Sequence, residues 1–162
     1  MFSQSAVFDD VYQHAHSLQD WPQEYDQLSS GKFEGFLEDI QMDAVRVFRE
    51  RMKQSVVQDT HTPMGKISMM IPHHVEPSDA SEQARQIMAS GITLLPYESD
   101  FSFVGPEELD YSIISIDHER LAELLSHETY TRLIGFKKSY GIKTAPGFLV
   151  NLRQQLSELI ES

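Results

Sequence analysis

The apolar period of this chain changes once, at Asp117, and that change restricts the fold more than any other feature. From Lys32 to Ile116 apolar residues come in short runs, and Pro or Gly ends most of them. Beyond Asp117 they recur every three or four residues. Alternation puts successive side chains on opposite faces of a strand, whereas steps of three and four gather them on one face of a helix. The chain therefore reads as mainly β with C-terminal helices, an α+β class in which an antiparallel sandwich or barrel comes first.

The first hairpin is the clearest piece. Phe36, Glu38, Ile40 and Met42 share one face of an extended segment, and Leu37, Asp39 and Gln41 share the other. Asp43-Ala44 makes the turn, and a second strand sets Val45, Val47, Arg49 and Arg51 against Ala44, Arg46, Phe48 and Glu50. Further strands are expected at Lys66–Ile71 before Pro72, at Gly91–Leu95 before Pro96, at Phe101–Val104 before Gly105, at Tyr111–Ile116, and at Gln86-Ile87-Met88. Residues 1–31 show no strong periodicity and read as a leader. Asp117 is placed to cap a helix carrying Leu121, Leu124 and Leu125. Residues 128–139 are also helix-compatible, with Gly141 as their stop. A last helix begins near Pro146 and bears Leu149, Leu152, Leu156, Leu159 and Ile160 on one stripe. The expected division is leader 1–31, β-barrel 32–117 and helical segment 118–162, one compact domain overall.

Composition narrows the function. There is no cysteine, so disulfides and thiolate chemistry are excluded. The formal net charge is −12, and no Lys or Arg occurs before Lys32. Such a surface repels nucleic-acid phosphates and anionic membranes. The first residues lack the basic and apolar regions of a secretory signal, and no apolar run approaches a membrane span. A cytoplasmic protein that binds neither membrane nor, by itself, DNA is the expectation.

One segment carries a resemblance. Gln27-Leu28-Ser29-Ser30-Gly31-Lys32-Phe33-Glu34-Gly35 is similar to a stretch found early in the sensing domain of AraC/XylS-type transcription regulators. Phe8-Asp9-Asp10, His14-Ala15-His16 and Trp21 resemble the approach to it. Val47-Phe48-Arg49-Glu50-Arg51 and Asp110–Asp117 resemble the second and last strands of those domains. Physically, Gly31 permits a turn, Phe33 plugs the barrel end, and Gly35 lets backbone approach closely. The resemblance implies a cupin-like barrel that accepts a small effector, followed by helices that pair two subunits. In that family two helix-turn-helix motifs then bind DNA, and this chain stops at Ser162 with no room for them. A fragment of a longer regulator is expected rather than a stand-alone sensor.

Several constellations invite a site. His14-x-His16 followed by Asp20 echoes a cupin metal triad, but it lies ahead of the first clear strand, and a surface or leader role is expected instead. His73-His74 would point to opposite sides of a strand, which disfavours a shared ion. Arg46, Arg49, Arg51 and Lys53 form a basic run. It is either a solvated face paired with acids or a clamp for a carboxylate effector, and one of the two arginine sets must be interior. An interior arginine would need a buried acid or an anionic ligand. Met42, Met69, Met70 and Met88, with Phe36, Phe48, Phe101, Phe103 and Tyr111, are core or pocket lining. The expected ligand-binding set is Phe36, Arg46, Phe48, Met69, His73, Phe103 and Tyr111. The expected dimerisation set is Leu121, Leu125, Leu149, Leu152, Leu156 and Leu159, although the last helix can equally pack back on the barrel. Residues 121–133 mimic a helix-turn-helix in residue order but lack its turn glycine and are acidic. No nucleophile, acid–base pair, phosphate loop or cofactor signature stands out. The sequence thus points to a non-enzymatic sensor of a small molecule, forming a homodimer, without metal or cofactor. The alternatives are a ligand-free dimerisation module and a cupin-type metalloenzyme.

Overall fold

The computed structural model describes residues 1–74, 82 and 91–162. The strand expected at Gln86-Ile87-Met88 lies outside the described residues, as does the side chain of His74. In chain order the elements are β1 Phe2–Phe8, α1 Val11–Ala15, β2 Gln23–Gln27, β3 Gly35–Met42, β4 Val45–Met52, β5 Val56–His61, β6 Lys66–His74, β7 Ile92–Leu94, β8 Asp100–Val104, β9 Leu109–Asp117, α2 His118–Leu124, α3 His127–Gly135, β10 Tyr140–Ile142 and α4 Pro146–Glu161.

The described strands form two antiparallel sheets. The larger runs β1-β3-β4-β9-β6-β7-β10 and the smaller β2-β5-β8. They face each other as a sandwich with open edges, so the class is mainly β with C-terminal helices, but the pairing does not close into the barrel expected from the sequence. The β3–β4 hairpin turns at Asp43-Ala44 as expected, with Met42 opposite Val45. Asp43 adopts a φ of +27°, which a short acidic side chain tolerates.

Residues 1–31 are not a detached leader. β1 pairs along β3 from Phe2↔Gln41 to Phe8↔Gly35, and β2 pairs with β5. Ala15, Leu18, Trp21 and Tyr25 enter the main core with Phe48, Met70, Phe101, Phe103 and Ile113. Their periodicity is weak because an exposed edge strand and a five-residue helix each bury few side chains.

The segment Gln27–Gly35 carries the chain from the small sheet to the large one. Gln27 Nε2 donates to the carbonyls of Ser29 (2.8 Å) and Gly31 (2.7 Å), tying the loop to its own start. Ser55 N–H donates to Ser29 Oγ at 2.8 Å. Gly31 has a φ of +103°, a backbone state that glycine takes without strain. Phe33 is buried in the core. At Gly35 a Cβ would collide with the ring of His14 and come within 2.8 Å of Phe33. Each role read from this segment is a structural one.

The last helix covers the outer face of the large sheet. Leu149, Leu152, Leu156, Leu159 and Ile160 pack on Val47, Ile71 and Ile92, with Val45, Met69, Ile114 and Ile142 around them. Leu156 is only 5% exposed. This is the packed-back alternative, with Leu156 buried and Leu149, Leu152 and Leu159 half-buried against the sheet. Fully burying a leucine such as Leu156 contributes about 1.5–3 kcal/mol within the chain. Gly141 does not stop a helix but lies in β10, which pairs with β7. Asp117 makes no side-chain cap on α2, because Lys66 Nζ takes its carboxylate. Neither α2 nor α3 has a buried residue, and Leu124 is 64% exposed, with Leu121 and Leu125 half-buried beside it. No helix among the described residues is long and apolar enough to cross a membrane.

Candidate functional site

Strand alternation fixes which side chains meet between the sheets. On β4 the buried set is Arg46, Phe48, Glu50 and Met52, so Arg49 and Arg51 face outward with Val45 and Val47. Cross-strand neighbours extend these rows: Glu50 lies beside Tyr111 and Phe48 beside Ile113. On the small sheet Gln23, Thr60 and Phe101 form one inward row, and Tyr25, Gln58 and Phe103 form the next.

A polar cluster forms where the rows face each other. The Glu50 carboxylate is 1% exposed. His14 Nε2 is 2.9 Å from its Oε1, the Tyr25 hydroxyl is 3.0 and 3.1 Å from its two oxygens, and the Tyr111 hydroxyl also donates to it. Three donors from α1, β2 and β9 thus hold a carboxylate that would otherwise be very unfavourable in so dry a place. Burial, reinforced by Glu50, raises both phenols well above the ordinary tyrosine range, so they stay protonated and keep donating.

Behind them stand two glutamines. Gln23 Oε1 is 3.0 Å from the Tyr25 hydroxyl and Gln58 Oε1 is 3.2 Å from that of Tyr111. Gln23 is 6% and Gln58 3% exposed, and the Nε2 of each has no hydrogen-bond partner in the protein; nor has Thr60 Oγ1. All three residues line one interior cavity with Trp21, Glu50, Met70 and Phe101. Counted as positions open to the centre of a water molecule, it measures about 10 Å³, room for one water-sized group. An unmet buried polar group costs about 1–3 kcal/mol, and native interiors keep few of them. Three converging on one cavity mark a place built to bond something.

The predicted ligand-binding residues divide between two faces. Phe48 and Tyr111 line the cavity wall, and Phe103 lies in the same core. Arg46 is interior too, but its guanidinium grips Asp39 with bonds of 2.9 and 2.7 Å and donates to the Gln19 carbonyl at 2.7 Å. The buried acid that an interior arginine requires is therefore Asp39, and no carboxylate clamp is free there. Phe36, Met69 and His73 lie on the other face of the large sheet. Phe36 is 39% exposed with the Arg51 guanidinium 5.0 Å from its ring centre, and Met69 packs in the cluster beneath α4. His73 Nε2 is 2.6 Å from Ser112 Oγ. Burial, with Arg49 and Arg153 close by, holds its pKa down at about 4.

Sequence reasoning passed over Gln23, Tyr25, Gln58 and Thr60, gave His14 a surface or leader role, and placed Glu50 on the face of Arg46 and Phe48 without a role of its own. His14 is fully buried rather than a surface histidine, while His16 pairs with Glu24 on the surface. Among the described residues no group of three or more His, Asp or Glu is placed to hold a metal ion. The one available signal was Gly35, whose need for close approach is met by the His14 ring. No model of a known protein family matches the chain, and no solved structure matches it.

Proposed function

We propose that this chain is the effector-sensing and self-associating part of a cytoplasmic AraC/XylS-type transcription regulator, with DNA bound through residues that this chain does not contain. The observation that carries the reading is the convergence of Gln23, Gln58 and Thr60, each with unmet hydrogen-bonding capacity, on one interior cavity beside the buried Glu50 cluster. The sandwich is then the sensing shell, and the effector sits between its sheets. The cavity is small, so an effector larger than water selects a more open packing of its apolar wall, Trp21, Met70 and Phe101. It shifts the population toward that state in proportion to its preference for it. β2 and α1 hold half of the Glu50 cluster, so opening there moves the N-terminal segments with it. Self-association falls to the helix pair α2–α3, whose Leu124 is exposed and whose Leu121 and Leu125 are half-buried outside both core clusters of the described residues.

The test has two arms. Melting of the protein across a library of small metabolites should show a raised transition for at least one class. Sedimentation of the wild type should give twice the chain mass, and Leu124→Glu should give the chain mass. A flat library and an unchanged mass would remove the reading. The small cavity favours a second one, a dimerisation module with no ligand; it predicts the flat library together with the mass loss in Leu124→Glu.

A further inference from the structure

The chemistry around the cavity says more about what it takes. We infer that the interior site accepts a small neutral molecule bearing a hydroxyl group, which meets Gln23, Gln58 and Thr60 while its apolar body lies against Trp21, Met70 and Phe101. The inference rests on the sensing role proposed above and names the ligand class for that site.

Charge decides first. Glu50 lines the cavity, and among the described residues no Lys or Arg does. The nearest interior guanidinium on the same strand face, Arg46, is committed to Asp39. An anion would sit beside a buried carboxylate with no cation to offset the repulsion. A cation fares poorly for a different reason. Both Glu50 oxygens already receive donors from His14, Tyr25 and Tyr111, so an ammonium must displace one of them.

Proton counting decides second. Each tyrosine has one proton, and the carboxylate is the stronger acceptor. Gln23 and Gln58 therefore face phenol oxygens whose protons are already given away. With the amide oxygen toward the phenol, each amide presents N–H to the cavity. Turned half a rotation, each donates to the phenol oxygen and presents its carbonyl. A carboxylate answers only the first arrangement and an ammonium only the second. A hydroxyl donates and accepts, so it answers both, and it pairs with the Thr60 hydroxyl in either sense.

The wall supplies the rest of the recognition. Trp21 stacks edge-on against Phe48 at 5.1 Å, and Phe101 and Met70 complete an apolar surface around the polar end. Methionine re-packs around irregular shapes, which lets a cavity of this size widen. A bound water supplies the same hydroxyl chemistry without an apolar body, and the experiment separates the two.

Trp21 is the only tryptophan in the chain, so its fluorescence reports on this cavity alone. Benzyl alcohol, benzoate and benzylamine share one body and differ in charge. Benzyl alcohol should change Trp21 emission saturably and raise the melting temperature, while the other two at equal concentration do neither. Thr60→Val should weaken the alcohol by about tenfold, the loss of one hydrogen bond, and Thr60→Ser should keep it. Saturable binding of benzoate or benzylamine in place of the alcohol would overturn the ligand class yet leave an interior sensing site standing. No response to any of the three, from a protein that melts cooperatively, would mean an ordered water only and would overturn the inference, while the sensing role falls only with the flat library described above. A response of Thr60→Val equal to that of wild type would move the alcohol away from this cavity and overturn the inference.

Discussion

At the scale of single residues the interior is held by pairs that tolerate little change. Arg46 and Asp39 are 6% and 1% exposed and joined by two parallel bonds. Asp39→Asn or Arg46→Met alone should destabilise by about 3–5 kcal/mol in urea titrations, because each leaves a buried charge uncompensated. The Asp39→Leu/Arg46→Met double variant should lose much less than the sum of the two positions. Additive losses would show that the two side chains do not act as a unit. Glycines give a second contrast. Gly35→Ala drives a methyl into the His14 and Phe33 rings and should cost about 1–3 kcal/mol. Gly147→Ala, in the first turn of α4 with open space around it, should be neutral or stabilise by up to about 1 kcal/mol. Equal melting temperatures for the two would show that Gly35 is not where the His14 ring is seated. Phe48, Tyr111, Phe103 and Arg46 were legible as interior because strand alternation left only two choices of face. Glu50 shares that face with Arg46 and Phe48 by the same alternation, but its partner was not legible, since nothing in a sequence says that a carboxylate and a histidine 36 positions apart will be buried together.

At the scale of elements, the sequence exposed those strands in which apolar residues alternate or run together between Pro, Gly or Asp stops. β3, β4, β6, β8 and β9 were read in place, with β7 inside the run read at Gly91–Leu95. β5 was missed because its inward positions include Gln58 and Thr60, which break the alternation that marks a strand. The residues that hid β5 are the ones that line the cavity, so the failure of the pattern and the candidate site have one cause. β10 was missed because three residues at an edge leave almost no periodic signal. The outer layer carries a testable pH dependence. His73 on β6 is faced by Arg49 of β4, Asp110 of β9 and Arg153 of α4; Arg153 Nε also donates to the Pro72 carbonyl at 2.7 Å. Its folded pKa, about 4, lies below the ordinary histidine value near 6.5. Between those values the unfolded chain binds a proton that the folded chain refuses. The contribution is thus fully present above about pH 6.5 and is lost as pH falls toward 4. Stability measured by denaturant at pH 7 and pH 4.5 should drop less in His73→Gln than in wild type. An equal drop would assign the acid sensitivity to carboxylates alone.

At the scale of the whole molecule, the net charge of −12 sets how two copies can meet. The leucines of the last helix pack on its own sheet, so the self-association proposed above would draw on what is left exposed. The α2–α3 pair offers Leu121, Leu124 and Leu125, but Glu119, Glu123 and Glu128 stand among them, offset only by Arg120 and Arg132. Arg120 is itself paired with Glu123 at 2.8 Å. Two such faces attract through apolar area and repel through charge. The repulsion is screened over about 10 Å at 0.1 M salt and about 3 Å at 1 M, while apolar burial does not weaken with salt. Association through this face should therefore tighten as NaCl rises from about 0.05 to 0.5 M, seen as a shift of the sedimentation isotherm toward dimer at lower protein concentration. Leu124→Glu should stay at the chain mass throughout, with a melting temperature close to wild type because the side chain is exposed. An association that weakens with salt would mean that opposite charges bring the copies together. The contact would then lie on another face, and α2–α3 would be left without the role assigned to it.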